Sequence, residues 1–405
     1  MNVLYIAFSC SPYHGSEDKI GWNIPLESAK TNRVFVITRE EQRQYVEKYL
    51  QDYPDIGIRF YYVDIPQIYH KLLSKVPYTP KLNLFHKYAY RVARQICAEE
   101  QIDVIHQITP VEFRSIGNYG KIPNVKFVCG PIAGGQTIPR QLSGYLGSHR
   151  FTEIARYCGN QVVRIWLSLS RKLQYCDCLL FANHETSRFL CRCGSDGLDC
   201  RVLTDVAISE EMDSSADFQG DFVRFAVIGR LVYLKGHRLL FDALRRLPSE
   251  LPYECRIVGA GDEEEKLRKL VRQYGLSERV NFVGIIPHTE ISEVYKKLDV
   301  LIMPSFREAT GTVILEAMAY GVPVITINRF GGATILDEDC GWLYDGNTKE
   351  EYIENLKNAI IQCIQNPEEV RRRGENAQNR ASEYTWTEKM KQYQAIYDSV
   401  VNAEK

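Results

Sequence analysis

Short runs rich in Val, Ile and Phe recur along this chain, and longer polar stretches with helical spacing lie between most of them. This alternation constrains the fold more than any other feature. A strand that is apolar on both faces must be covered on both faces, which a parallel sheet flanked by helices achieves. In the first half the strand-like runs are Asn2–Ser9, Arg33–Thr38, Ile58–Val63, Asp103–His106, Val125–Cys129 and Asp177–Ala182. In the second half they are Val223–Gly229, Glu254–Val258, Val280–Val283, Asp299–Met303 and Pro323–Ile327. Helical spacing marks Glu40–Tyr53, Tyr88–Glu100, Gly236–Leu247 and Glu263–Tyr274. The pattern predicts an α/β chain with parallel sheets.

The pattern is interrupted once. Ile208–Asp221 is polar and rich in Asp, Glu and Ser, which is linker composition. At ~100–200 residues per domain, 405 residues favour two domains. The expected division is 1–207, a linker at 208–221, a second domain at 222–384, and a terminal segment at 385–405. That segment is helical, with Trp386, Met390, Tyr393 and Tyr397 at about helical spacing.

Charge and composition narrow the function. The formal net charge is -1, so no global field draws the chain to nucleic acid, and any anion site must be local. The opening MNVLYIAFSC lacks a basic leader and reads as a first strand. No run reaches the ~18 apolar residues of a membrane span. The twelve cysteines form no CxxC pair and read as reduced thiols of a cytoplasmic protein. Cys176, Cys178, Cys191, Cys193, Cys200 and His184 form a zinc set on paper only; their spacing argues for no metal.

The most informative stretch is MPSFREATGTVILEAMAYGVPVITI, Met303–Ile327. A loop follows a strand and enters a helix over Thr312–Tyr320. Gly311 relaxes the backbone, and the first helical amides, at Thr312 and Val313, have no partner inside the helix. With the helix dipole behind them they suit a diphosphate, at the strand end where open α/β sheets bind ligands. Glu308 and Glu316 flank the loop with seven residues between them. Carboxylates accept sugar hydroxyl protons well, so Glu308 is placed at a donor sugar and Glu316 at a ribose. Taken singly, either could be an ordinary surface carboxylate.

Other segments supply the remaining parts. In GRLVYLKGH, Arg230 and Lys235 can offset a diphosphate's charge and stabilise it as a leaving group. Gly259 and Gly261 permit a tight strand-to-helix turn, and Phe282–Ile286 can set backbone groups, Ile286 included, against a base edge. In the first half, Gly15 and Ser16 lie in the first strand–helix loop, at a sheet's carboxyl end, and count among the expected donor-binding residues. The stretches HQITPVEFR and GPIAGGQ follow other strands there, with glycines that admit close backbone approach.

These residues resemble the GT-B glycosyltransferases of family GT4, the retaining EX7E group. Glu308 and Glu316 match the paired glutamates, and Arg230 and Lys235 match the phosphate-binding Arg and Lys. The Phe282–Gly284 strand end, Gly331-Gly332 and the Trp386 helix also fall at family positions. SPYHGSE, HQIT, FVCGPIAGGQ and FANHET look like a bacterial subgroup that serves polysaccharide synthesis. The resemblance implies two Rossmann-like domains whose sheets face across a cleft, with the first taking acceptor and the second taking donor. It also implies a terminal helix returning to the first domain, a UDP- or GDP-sugar donor, retention of configuration and no metal or other cofactor. Two departures stand out. The chain has no His after Val128-Cys129-Gly130, for which His106 is the candidate substitute as a second catalytic residue beside Glu308. Ala309-Thr310-Gly311 replaces the usual Gly-Phe-Gly.

The expected reaction moves a hexose-type sugar from a nucleotide diphosphate to a glycan or lipid-linked glycan. Two segments, 69–94 and 161–175, mix basic and aromatic or apolar residues; they read either as helices packed on the sheet or as a peripheral contact with the inner face of the cell membrane. An epimerase or phosphorylase on the same fold, or a catalytically silent nucleotide-sugar-binding subunit, stands as the alternative.

Overall fold

A computed structural model describes residues 1–65, 78–191, 197–209 and 222–403. Most of the expected linker, 208–221, lies outside the described residues, as do Cys193 and part of the segment 69–94. The chain forms two compact units. Unit 1 comprises Met1–Gly135, Cys158–Val206 and Trp386–Lys405; unit 2 comprises Gln136–Tyr157 and Ala207–Thr385.

Unit 1 is built from β1 (Asn2–Ala7), α1 (Ser16–Ser28), β2 (Arg33–Arg39), α2 (Arg43–Asp52), β3 (Ile58–Val63), α3 (Tyr78–Glu99), β4 (Val104–Thr109) and β5 (Lys126–Ile132). Helix α4 (Arg150–Leu169) contains a unit boundary, and β6 (Cys178–Phe181), α5 (His184–Cys191) and β7 (Asp199–Val202) follow. All seven strands are parallel, in the order β3-β2-β1-β4-β5-β6-β7. The β1 and β4 side chains are buried almost throughout, as strands covered on both faces require. Helix α3 shows the complementary pattern: Leu82, Phe85, Ala89, Ala93 and Ile96 form one fully buried stripe at helical spacing.

Unit 2 repeats the plan. Its elements are β8 (Val223–Ile228), α6 (His237–Leu244), β9 (Tyr253–Val258), α7 (Glu264–Gln273), β10 (Val280–Gly284), α8 (Ile291–Lys296) and β11 (Val300–Met303). Then come α9 (Thr312–Ala319), β12 (Val324–Ile327), α10 (Gly332–Ile335), β13 (Gly341–Tyr344), α11 (Lys349–Gln365) and α12 (Pro367–Ala381). The parallel order β10-β9-β8-β11-β12-β13 is that of a Rossmann sheet. The segment Gln136–Tyr157 precedes unit 2 in sequence yet belongs to it. Leu142, Tyr145 and Leu146 are buried in its core, and Tyr145 Oη donates to Asp242 at 2.7 Å.

The terminal helix α13 (Trp386–Asn402) is part of unit 1. Tyr393 and Tyr397 are fully buried, and Lys389, also buried, donates to the Thr204 hydroxyl at 2.9 Å. Strands β7 and β13 escape sequence reading. Strand β7 is an edge strand of half-buried, partly charged residues, and β13 is four residues opened by a glycine. Among the described residues no helix is long and apolar enough to cross a membrane, and no group of three His, Cys, Asp or Glu side chains could hold a metal ion.

Candidate functional site

Strands β8 and β11 are neighbours in the unit 2 sheet, but the chain leaves them in opposite directions, to β9 and to β12. Crevices at such a switch point, beyond the carboxyl ends of the strands, are where α/β sheets take ligands. Four loops meet there in backbone contact, and glycines make the contact possible. A Cβ on Gly236, whose φ is +70°, would stand 1.9 Å from the Pro304 carbonyl oxygen. A Cβ on Gly259 would stand 2.0 Å from the Gly229 oxygen, and one on Gly331 1.8 Å from the Thr310 oxygen. The Phe306 amide donates to the Leu234 carbonyl at 2.8 Å, joining the loops after β8 and β11.

Into this frame the side chains fall as follows. Lys235 forms an ion pair with Glu308, both side chains about four-fifths buried at 21% and 17% exposed. Arg230 is exposed and pairs with no carboxylate among the described residues. Helix α9 begins at Gly311 (φ 90°, ψ 80°) with no side-chain cap, so the amides of Thr312 and Val313 remain open to a ligand. One turn along α9, Glu316 accepts a hydrogen bond from Tyr295 Oη at 2.8 Å. Tyr295 is fully buried and stacked on Tyr320 with centroids 5.4 Å apart. Burial, and then the neighbouring Glu316, push the Tyr295 phenol well above its usual range, so it stays a donor. Gly259 sits in the loop after β9, and Ile286, half-buried, in the loop after β10, whose Gly284 carbonyl accepts from the Gly259 amide at 2.7 Å. One cation–carboxylate pair, an uncapped helix start and a second held carboxylate thus share the carboxyl edge of one sheet.

A bracket from Gln136–Tyr157 holds the loop after β11. Gln136 Nε2 donates to the Glu308 carbonyl oxygen at 2.9 Å, and Arg156 Nη2 donates to the Gln136 carbonyl at 2.8 Å. Glu153 pairs with Arg307, accepts from Tyr233 Oη at 2.8 Å and accepts from Arg156 Nε at 3.1 Å. Burial pushes its carboxyl up, but Arg307, Tyr233 and Arg156 outweigh that and hold it below the usual range. His149 stacks on Tyr233 with centroids 4.1 Å apart. A cavity of about 590 Å³ lies against this bracket, Glu153 and Arg156 among its lining.

Apart from Gln136, the residues singled out in the first half lie in unit 1. Gly15 precedes α1, and a Cβ there would meet nothing within 4 Å, so local packing does not explain the glycine. Ser16 opens α1. His106 departs from the sequence reading. It lies within β4 instead of at its end, is fully buried, and has both ring nitrogens occupied. Nε2 donates to the Gly130 carbonyl at 2.7 Å, and Nδ1 accepts from Tyr397 Oη at 2.7 Å. Burial pushes its pKa down to about 3, so the ring is neutral. His106 therefore ties the terminal helix to the sheet and presents no ring nitrogen to a substrate.

Sequence reading missed Tyr295 and Glu153, and it gave Gln136, in the GPIAGGQ stretch, no part in holding the Glu308 loop. Tyr295 carries a usable signal: it is the lone tyrosine on a short helix just upstream of the strand leading to the glutamates. Gln136 and Glu153 have none, because nothing local assigns their segment to unit 2.

Residues 209–380 match the family model "Glycosyl transferases group 1". A D-inositol 3-phosphate glycosyltransferase of Corynebacterium urealyticum is 32% identical over 184 residues, 43% of this chain and 42% of that protein. An uncharacterised glycosyltransferase of Methanocaldococcus jannaschii is 33% identical over 135 residues, 33% of this chain and 35% of its own length. The matches thus span less than half of these curated relatives. Among solved structures, sucrose-phosphate synthase from Thermosynechococcus elongatus superposes with a TM-score of 0.67 at 19% identity, over 100% of both chains. Anabaena HepE in complex with UDP and glucose superposes at 0.64 and 16% identity, over 98% of this chain and 100% of that one. Those likenesses agree with the fold described above, two Rossmann-like units of GT-B type. The Arg230–Lys235 loop and the Glu308–Glu316 loop and helix both lie within residues 209–380, the part of the chain that is similar to the group 1 glycosyltransferases.

Proposed function

We propose that the protein is a retaining glycosyltransferase that takes a hexose-type sugar from a UDP- or GDP-sugar. One observation carries this reading: the Lys235–Glu308 pair and the uncapped start of α9 share the switch point of the unit 2 sheet. The diphosphate docks on the Thr312 and Val313 amides, where the helix dipole favours its charge. Arg230, which pairs with no carboxylate among the described residues, closes on it, and Lys235 turns from Glu308 to the phosphate. Glu308 then accepts from the sugar hydroxyls, and Glu316, aimed by Tyr295, accepts from the ribose.

As the bond between the anomeric carbon and the phosphate oxygen breaks, the acceptor hydroxyl attacks from the same face. Its proton passes to the departing phosphate oxygen, and the nucleotide diphosphate leaves with its charge balanced by Arg230, Lys235 and the amides. With this much positive potential supplied by the protein, no metal or other cofactor is needed. HepE, solved with UDP and glucose, supports a uridine donor. The acceptor is a glycan or lipid-linked glycan of a bacterial surface polysaccharide, reached at the inner face of the membrane.

The test is a panel of UDP- and GDP-sugars. Thermal shift reports binding, since a ligand raises apparent stability. Release of nucleotide diphosphate on adding acceptor, and NMR of the product's anomeric proton, report transfer and retention. Turnover should persist in EDTA. Failure to bind any nucleotide, or an inverted product, would overturn the reading.

A further inference from the structure

Unit 1 carries a second cavity, lined in large part by residues of the two basic segments, 69–94 and 161–175. Helix α3 turns its apolar stripe inward and presents Asn83, His86, Lys87, Tyr90, Arg91 and Arg94 along the opposite side, at spacings of three and four. These line a cavity of about 720 Å³, to which Gly117, Asn118, Trp166 and Lys172 also contribute. From Asn83 to Arg94 this wall of the cavity is about 16 Å long, at 1.5 Å per residue step.

The charge is one-sided. Lys87, Arg91, Arg94 and Lys172 line the cavity, and none forms an ion pair with a carboxylate among the described residues. Lys172 Nζ instead stands 5.2 Å from the Trp166 ring centroid. Burial, with the nearby Lys121 adding to it, lowers the Lys172 pKa. His86 is 5% exposed, and its Nδ1 is 2.9 Å from Tyr119 Oη. Its Nε2 has no hydrogen-bond partner of good geometry, although the Ser115 carbonyl lies close enough to favour a proton on the ring. A cavity walled by unpaired cations takes an anion, and one lined by guanidinium groups suits phosphate oxygens.

What lies beside the cavity selects the kind of phosphate. Val162, Ile165, Trp166 and Leu169 are 66%, 55%, 50% and 80% exposed. They recur at three and four residues, so they form one apolar ridge on the unit 1 part of α4, and Trp166 belongs to both ridge and cavity. Cations flanking an exposed apolar helix face match the interface of an anionic bilayer, headgroup beside hydrocarbon.

We propose that this groove binds the phosphate headgroup of an anionic lipid, with Val162, Ile165, Trp166 and Leu169 entering the hydrocarbon next to it. The site deepens the membrane side of the proposed function and rests on that reading for its role, but its binding is measurable without turnover.

The experiment is co-sedimentation of the full chain with vesicles of phosphatidylcholine alone or mixed with phosphatidylglycerol. Wild type should partition onto the mixed vesicles and only weakly onto phosphatidylcholine. At about fivefold per basic residue, Arg91→Gln with Arg94→Gln should weaken partition roughly thirtyfold. Trp166→Ser with Leu169→Ser should weaken it with all basic residues in place. Both double variants alter exposed side chains, and unchanged thermal shift by nucleotide shows that the donor site is intact. Equal binding to both vesicle types, wild-type partition of either variant, or full displacement from mixed vesicles by inorganic phosphate at the vesicles' own phosphate concentration would overturn the proposal. The last result would make the groove a site for the free ion.

Discussion

Replacing Lys235 with methionine separates the proposed chemistry from structural support. Methionine keeps an unbranched apolar stem and removes only the charge. The pair with Glu308 is about four-fifths buried on both sides but open enough for water to reach it. Its loss should cost about 1 kcal/mol of stability, near the upper end for accessible ion pairs, and move Tm by a few degrees at most. The effect on turnover should be much larger. A preorganised donor aimed at developing oxyanion charge supplies about 2.7–4 kcal/mol, or about 10²- to 10³-fold in kcat. Glu308, left without its cation, adds a negative charge beside the diphosphate. Nucleotide release at saturating donor, measured alongside thermal unfolding, reads both quantities on one preparation. Adding Glu308→Gln should relieve the stray charge without restoring the rate. A kcat within about threefold of wild type, or a rate loss matched by an equal loss of stability, would refute the assignment of Lys235 to the phosphate.

Tyr295→Phe removes the hydroxyl that aims Glu316; donor affinity by calorimetry should fall about three- to tenfold, with kcat changed less. Glu153→Gln leaves Arg307 without its carboxylate and loosens the loop carrying Glu308, so kcat/KM should fall at least about tenfold while nucleotide binding holds. Gly236→Ala forces a Cβ onto the Pro304 carbonyl at a positive φ, and should cost more than about 1–3 kcal/mol of stability together with donor binding. The buried histidines set an acid limit. Burial lowers the pKa of His86 and His106 to about 3 and of His237 to about 4. The folded rings stay neutral where the unfolded chain takes up protons, so stability is full above pH ~6.5 and is lost as pH falls toward the folded values. Each ring contributes a slope of about 1.4 kcal/mol per pH unit. Urea unfolding should show this decline, and His106→Gln should remove one ring's share of it.

Much of this protein was legible in its sequence, because the relevant physics is local. Strands covered on both faces need continuous apolar runs, so β1 to β6 and β8 to β12 announced themselves in Val- and Ile-rich segments. The start of α9 was readable from Gly311 and the apolar helix behind it, and Glu308 and Glu316 from their place around that start. Tertiary structure decided what depends on partners distant in sequence. His106 reads like a strand-end ligand, but its role is set by Tyr397, 291 residues away, and by the Gly130 carbonyl. Gln136 and Glu153 sit in a polar stretch of the first half, and only the burial of Leu142, Tyr145 and Leu146 in the unit 2 core brings them to the Glu308 loop. Periodicity along the chain reports which face of an element is buried; it carries no information about which other element does the burying.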